Sequence, residues 1–224
     1  VNDSRGFFTS RVIGTFTMEA LRLLAEGVPA ASIEQAGLQA GYPTAPLALT
    51  DEVSLTLWRR IREQTKAGIE AAGGVYESNP SVDVIDRLVL DLDRGGRASG
   101  AGFYDFVDGK RTGLWSGLAE LFGGTNRDVP LRDMSERMLF AEALESVKCL
   151  DEGVLRSVPD ANIGSIFGIG YPAWTGGVLQ YVNGYPGGPA GFVDRARELA
   201  ATYGERFTPP ESLVALADSG GQYE

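Results

Sequence analysis

The chain has 224 residues, 43% of them hydrophobic and 22% charged, with a net charge of −10. Those proportions fit one large or two small globular domains, and the acidity argues against a nucleic-acid partner. With no histidine and a single cysteine, Cys149, the chain cannot itself hold a Ser-His-Asp or Cys-His apparatus, a histidine or thiolate metal site, or an internal disulfide. Any general base within it must be Asp, Glu, Tyr or Lys. No apolar run reaches membrane-spanning length, so no integral membrane segment is expected, and no signal-peptide pattern is seen at the start of the sequence. The lone thiol suits a reducing cytoplasm.

Val1 to Arg5 reads as a connection. Helix one is expected from about Phe7 to Glu26, with Phe8, Val12, Phe16, Ala20 and Leu24 on one face and Gly27 as its stop. Ser32 with Gln35 resembles a capping box for a short helix to Ala40. Gly41-Tyr42-Pro43 breaks that helix. Pro46 then suits the first turn of a long helix to about Ala71, with Leu49, Val53, Leu57 and Ile61 as its apolar stripe. Ser81 to Asp93 has helical spacing, although LVLDLD would also suit a strand. Ala98 to Phe106 looks extended, and a boundary between two halves falls by Thr112. Leu114, Leu118 and Leu121 predict a short helix. Asp133 with Glu136 resembles a second capping box, ahead of a helix that holds Cys149 in its apolar stripe as a packing thiol. Two or three further helices follow, one apolar at Phe192, Val193, Ala196 and Leu199, another starting at Pro210 with Leu213, Val214 and Leu216.

The chain repeats itself. Arg11 to Gly27 and Arg137 to Gly153 are both seventeen residues long, open on Arg, end in Glu-Gly, and are followed by Gly-Tyr-Pro at Gly41 and at Gly170. The expected fold is all-α, with two helical halves, 1–112 and 113–224, packed face to face.

Several strings carry a possible chemistry and a plainer reading. Gly168-Ile169-Gly170-Tyr171-Pro172-Ala173 fits a dinucleotide fingerprint by letters only, because no strand precedes it; a helix-breaking turn is the better reading. Gly100-Ala101-Gly102 lacks a third glycine, and no phosphate-cradling GxxxxGK[ST] loop occurs. Asp51/Glu52 and Asp151/Glu152 could do acid–base work but read as solvated pairs. Tyr42 and Tyr171 read as packing corners rather than pocket walls. Arg59, Arg60 and Arg62 form a solvated helix face or contact an anionic ligand, and Lys110-Arg111 is the other basic spot.

Taken together, VNDSRGFFTSR at Val1–Arg11, GYPTAPLALTD at Gly41–Asp51 and GGRASGAGFY at Gly95–Tyr104 resemble the C-terminal helical region of 3-hydroxyacyl-CoA dehydrogenases. The second copy, through GIGYPAWTGGVLQYVN, resembles what bacterial multifunctional fatty-acid oxidation α-chains add. The resemblance implies a fold like the 6-phosphogluconate dehydrogenase C-terminal domain, with two units about a pseudo-two-fold axis. It implies NAD-dependent oxidation of 3-hydroxyacyl-CoA in fatty-acid β-oxidation, with the catalytic His and Glu and the NAD site in a preceding Rossmann domain and an enoyl-CoA hydratase domain before that. The chain then reads as a C-terminal fragment with no catalytic, cofactor or metal residue of its own, inactive alone. Its partners would be acyl-CoA, those missing domains and a thiolase β-subunit. A non-catalytic scaffold for dimerisation or thiolase docking is the alternative. The family's substrate-contacting Asn is replaced here by Ser10, and Ala98-Ser99 stands where the family has a lysine. Arg59, Arg60, Lys110 and Arg111 are candidates for the nucleotide end of CoA.

Overall fold

A computed structural model describes residues 1–4, 6–76, 78–123 and 127–224. Arg5, the last residue of the expected opening connection, lies outside them. Eleven α-helices are present among the described residues: α1 (Thr9–Ala25), α2 (Ala30–Ala40), α3 (Pro46–Val53), α4 (Leu55–Ala71), α5 (Pro80–Asp86), α6 (Gly117–Phe122), α7 (Leu131–Asp151), α8 (Val158–Ile169), α9 (Val178–Gly184), α10 (Gly188–Tyr203) and α11 (Glu211–Asp218). A π-helical turn, Arg87–Asp91, prolongs α5, so the first four residues of LVLDLD wind rather than extend, and the helix ends two residues before the expected Asp93. The fold is helical, as expected from the 3.6-residue periodicity.

The chain gathers into two compact units that are interleaved in sequence. One comprises Val1–Phe16, Ala36–Pro43 and Pro130–Glu224; the other comprises Thr17–Gln35 and Thr44–Val129. The predicted stripe of α1 is buried throughout, with Phe8, Val12 and Phe16 in the first unit and Ala20 and Leu24 in the second. Gly27 ends that helix at φ 89° and Gly153 ends α7 at φ 71°, the left-handed conformation that glycine adopts without a Cβ clash.

Both proposed capping boxes are corrected. α2 opens at Ala30, ahead of Ser32, and α7 opens after Pro130, so Asp133 and Glu136 sit inside the first turns. Their carboxylates instead bind Arg195 of α10 at 2.6 and 2.7 Å. The long helix from Pro46 is also corrected. Ser54 takes φ 83° and divides it, and Leu55 N–H donates to the carbonyl of Gly95 rather than continuing the ladder. The break turns a different face inward. Leu47, Ala48, Asp51 and Leu55 are buried, whereas Leu57 and Ile61 of the predicted stripe are exposed.

The glycine-rich stretch after Gly95 leads into an antiparallel hairpin that periodicity alone did not predict, β1 (Tyr104–Val107) with β2 (Lys110–Leu114). Its turn is Asp108-Gly109, both at positive φ (50° and 71°). An Asp-Gly pair between strands favours this tight turn.

In the first unit the core is aromatic. Phe140 of α7 stacks on Phe192 of α10 with centroids 4.0 Å apart, and Tyr181 and Tyr185 meet both rings edge-on. Each fully buried ring of this kind stabilises the fold by about 1.5–3 kcal/mol relative to exposure. In the second unit Leu47, Leu55, Val84, Ile85, Leu88 and Phe103 are among the buried apolar residues of α3, α4, α5 with its π-helical extension, and the approach to the hairpin.

Candidate functional site at the start of the first helix

Gly6 and Phe7 both have positive φ, 79° and 48°. Left-handed backbone at a phenylalanine is uncommon. It sends consecutive aromatic rings in opposite directions: Phe8 is buried, while Phe7 is exposed. α1 then begins at Thr9, and Ser10 stands on its first turn, exposed to solvent. Arg11, the next residue, is half-buried and fixes the helix start to α7. Its guanidinium binds Glu145 through Nε and Glu152 through Nη1 and Nη2, the last contact at 2.9 Å. The Arg11 bond holds the Glu152 carboxyl below its ordinary range, and the paired acids keep the guanidinium charged.

α8 lies against the same turn. A Cβ added at Gly164 would meet Phe8 Cε1 at 3.3 Å, and one at Gly168 would meet Thr9 Cγ2 at 3.1 Å. These glycines are four residues apart and so share a helix face, which lets α8 approach α1 closely. Beside them in sequence, Ile163 is 60% exposed and Phe167 86% exposed. A hydroxyl on a rigid helix start thus stands in a unit that also presents Phe7, Ile163 and Phe167 to solvent. Only Ser10 was legible beforehand, because exposure of a phenylalanine is not written in its spacing.

The remaining candidates serve the fold. Tyr42 and Tyr171 are buried corners, their rings 6.1 Å apart and edge-to-face. Asp51 and Glu52 part company: Glu52 is exposed and pairs with Arg97 at 2.7 Å, while Asp51 is buried and accepts the N–H groups of Phe103 and Tyr104, both at 2.9 Å. Burial pushes the Asp51 carboxyl up to about 6 against the pull of those two bonds. Nearby, Glu34 accepts from Leu47 N, Ala48 N and the Tyr104 hydroxyl at 2.8, 2.9 and 2.7 Å. Asp51 and Glu34 together tie the GAGFY segment to α3 and α2. Asp151 accepts from Ser212 at 2.6 Å, and Glu152 is held by Arg11.

Cys149 is buried and its thiol is pushed up to about 11 by burial, as a packing thiol should be. Arg59 and Arg62 of α4 both bind Asp86, at 3.3 and 2.8 Å, so that face is braced as well as solvated. Lys110 and Arg111 lie exposed on β2. No group of three or more His, Cys, Asp or Glu residues that could hold a metal occurs among the described residues.

Neither glycine string fits a dinucleotide. Gly168 is inside α8 and Gly170, at φ 74°, caps its end. Gly102 is filled from within, because an added Cβ would lie 2.0 Å from Asp51 Oδ1. No helix among the described residues is long and apolar enough to cross a membrane.

Residues 6–106 match the family model described as 3-hydroxyacyl-CoA dehydrogenase, C-terminal domain. Among solved structures, the chain is similar to the dehydrogenase part of multifunctional enzyme 1 from C. elegans. The TM-score is 0.68 at 16% identity, over 96% of this chain and 48% of that one. It is also similar to 3-hydroxybutyryl-CoA dehydrogenase from Escherichia coli K12, with a TM-score of 0.67 at 20% identity, over 97% of this chain and 61% of that one. The chain therefore spans about half to three-fifths of the length of these structures, and at such identities the likeness establishes the fold.

Proposed function

We propose, for a chain whose residues 6–106 match the family model of the 3-hydroxyacyl-CoA dehydrogenase C-terminal domain, that it supplies the substrate side of a 3-hydroxyacyl-CoA dehydrogenase site. The observation that carries this reading is the exposed Ser10 on the first turn of α1, in a unit that also exposes Phe7, Ile163 and Phe167. A 3-hydroxyacyl thioester presents a polar carbon chain end followed by an aliphatic tail. The Ser10 hydroxyl can donate to and accept from the 3-oxygen, and the apolar side chains can cover the tail and keep water from it. Arg11, clamped to α7, fixes the helix that carries Ser10, so the hydroxyl is positioned before substrate arrives.

The proton at the 3-oxygen needs a base near neutrality. The chain has no histidine, and Asp51, Glu34 and Glu142 are buried away from Ser10's exposed surface, so in this reading the base belongs to a domain outside residues 1–224. NAD belongs there too, since the glycines here form no cradle for it.

The reading extends to the repeat: 1–112 and 113–224 are two copies of one helical unit related by a pseudo-two-fold axis. Their elements follow the same order. A long helix (α1, α7) leads to a helix of eleven or twelve residues (α2, α8), then Gly-Tyr-Pro, a short helix (α3, α9) and a long one (α4, α10). Contact of Arg11 with Glu145 and Glu152 joins the start of one long helix to the end of its counterpart.

The test is acetoacetyl-CoA-dependent NADH oxidation, measured for this chain alone and for the chain joined to an NAD-binding domain of the family. Turnover is expected only in the joined protein, and Ser10→Ala should lower it. Turnover by the 224 residues alone would overturn the reading. So would thiolase binding by a joined protein that shows no turnover, which would favour a scaffold.

A further inference from the structure

The second copy carries a groove that the dehydrogenase reading does not use. It has a volume of about 800 Å³ and lies in the first unit between α7 and α9, lined among others by Arg132, Glu136, Trp174, Gln180, Tyr181 and Tyr185. Ligand sites commonly fall in the range of about 300–1,000 Å³.

One wall is a fixed aromatic plane. Trp174 is 67% exposed, yet its indole is immobilised. Its Nε1–H donates to the Ala40 carbonyl at 2.7 Å. Its ring meets Tyr181 edge-on at 6.1 Å. It lies over Gly41, where an added Cβ would be 2.8 Å from the indole. The only polar atom of the indole is thus already bonded, and what remains open is an apolar face. Tyr181 continues the row to Tyr185, 5.9 Å away and again edge-on. Both tyrosines are buried at the floor.

At the Tyr185 end stands a fixed cation. Arg132 donates from Nε to Glu136 at 3.0 Å and from Nη2 to the Tyr185 hydroxyl at 3.1 Å. Its side chain remains 68% exposed, and Glu136 holds it firmly in the charged form. Glu136 does not cancel this cation, because it is nearly buried and also accepts from Arg195 and from the Tyr185 hydroxyl, at 2.7 and 2.8 Å. With two nitrogens bonded inward, the open edge of the guanidinium is left for an anion.

A rigid, open indole face and a pinned guanidinium at opposite ends of one aromatic row suit a planar base joined to a phosphate. We infer that this groove binds an adenine nucleotide, with the base stacked on Trp174 and a phosphate on Arg132. Stacking needs no further hydrogen bond from the indole. The nucleotide has two possible sources, the 3′-phosphoadenosine diphosphate end of CoA or a free nucleotide such as ADP, and both offer the same chemistry. The site is separate from Ser10, so its test does not depend on turnover.

Trp174 is one of three tryptophans, so the part of the quenching that Trp174→Phe abolishes reports occupancy. CoA, ADP and, as a control without a base, inorganic pyrophosphate would be titrated into the chain, with calorimetry alongside. Quenching by CoA and ADP and its absence with pyrophosphate is expected. Tighter binding of CoA would assign the site to the acyl carrier, and equal or tighter binding of ADP to a free nucleotide. Trp174→Ala should weaken binding about ten-fold or more, and Trp174→Phe, which keeps a ring, should restore most of it. Arg132→Gln should weaken binding about ten-fold and reduce its salt dependence. Circular dichroism should show the native helical fold in all three variants. Failure of both nucleotides to bind at millimolar concentration would overturn the inference. Affinity indifferent to all three substitutions, or quenching by a proline-rich peptide in place of nucleotides, would do the same.

Discussion

The hydroxyl of Tyr42 donates to Glu142 Oε2 across 2.5 Å in the buried core of the first unit. The other oxygen of Glu142 has no hydrogen-bond partner among the described residues. Loss of solvent pushes this carboxyl up to about 8, and the Tyr42 bond pulls only weakly the other way. A carboxyl placed so is neutral at pH 7 and is retained by the corner that Tyr42 and Tyr171 build.

This pair makes stability depend on pH. Between about 4.5, the ordinary glutamate value, and about 8 the folded chain holds a proton on Glu142 that the unfolded chain has released. The contribution is complete below 4.5 and is lost as pH rises to 8, with a slope of at most about 1.4 kcal/mol per pH unit. Asp51, raised to about 6, and Glu34, also raised by burial, add slopes of the same sign, so the comparison with Glu142→Gln is what isolates Glu142. Urea midpoints should fall over that window, and Glu142→Gln should flatten the fall. An equal slope in that variant would place the titrating group elsewhere.

Tyr42→Phe removes the one hydrogen-bond partner that the buried Glu142 carboxyl has among the described residues. A cost of about 1–3 kcal/mol is expected, read as a lower urea midpoint with an unchanged denaturant slope. No change would mean that water already serves Glu142.

The Asp51 clamp predicts two substitutions. Gly102→Ala places a methyl carbon within 2.0 Å of the carboxylate and should destabilise the chain severely, by about 3 kcal/mol or more. Asp51→Asn turns an amide NH₂ toward one of two donors and should cost about 1–3 kcal/mol. Thermal unfolding of both variants checks the ranking.

Asn162 of α8 caps its neighbour rather than its own helix, accepting from Leu179 N and Gln180 N of α9 at 2.9 and 3.0 Å. Asn162→Ala should cost about 1 kcal/mol. Hydrogen exchange should quicken first in α9 if the cap acts locally; uniform quickening would argue against it.

At the proposed substrate side, Phe167→Ala should leave folding intact, since the ring is 86% exposed. In the protein joined to an NAD-binding domain it should raise KM about ten-fold for long-chain 3-ketoacyl-CoA and little for acetoacetyl-CoA, because only a long tail reaches apolar cover. An equal effect on both substrates would deny Phe167 this role.

Local rules carried much of this fold. The stripe Phe8 to Leu24, the stops at Gly27 and Gly153, the buried Tyr42 and Tyr171, the packing thiol of Cys149 and the face Phe192 to Leu199 follow from periodicity and from glycine's freedom, which act over a few residues. What failed was decided by contacts from farther along the chain or by a single backbone angle. Ser32 and Asp133 have capping side chains, yet each helix begins earlier, and Asp133 bonds to Arg195 sixty-two residues away. The stripe from Leu49 to Ile61 assumed one helix, and the positive φ of Ser54 rotated the second half of it. Asp108-Gly109 did signal a hairpin, but the strands beside it are too short for alternation to show.

By itself the sequence determined the helical class and the absence of histidine chemistry, because each depends on composition or on spacing along one segment. Only the tertiary structure decided that Asp51 is a clamp, that Glu142 is buried neutral, that Phe167 and Trp174 stand exposed and that Arg132 is pinned at a groove. Those properties depend on which distant groups exclude water from a side chain, and desolvation is set by neighbours that chain order does not name.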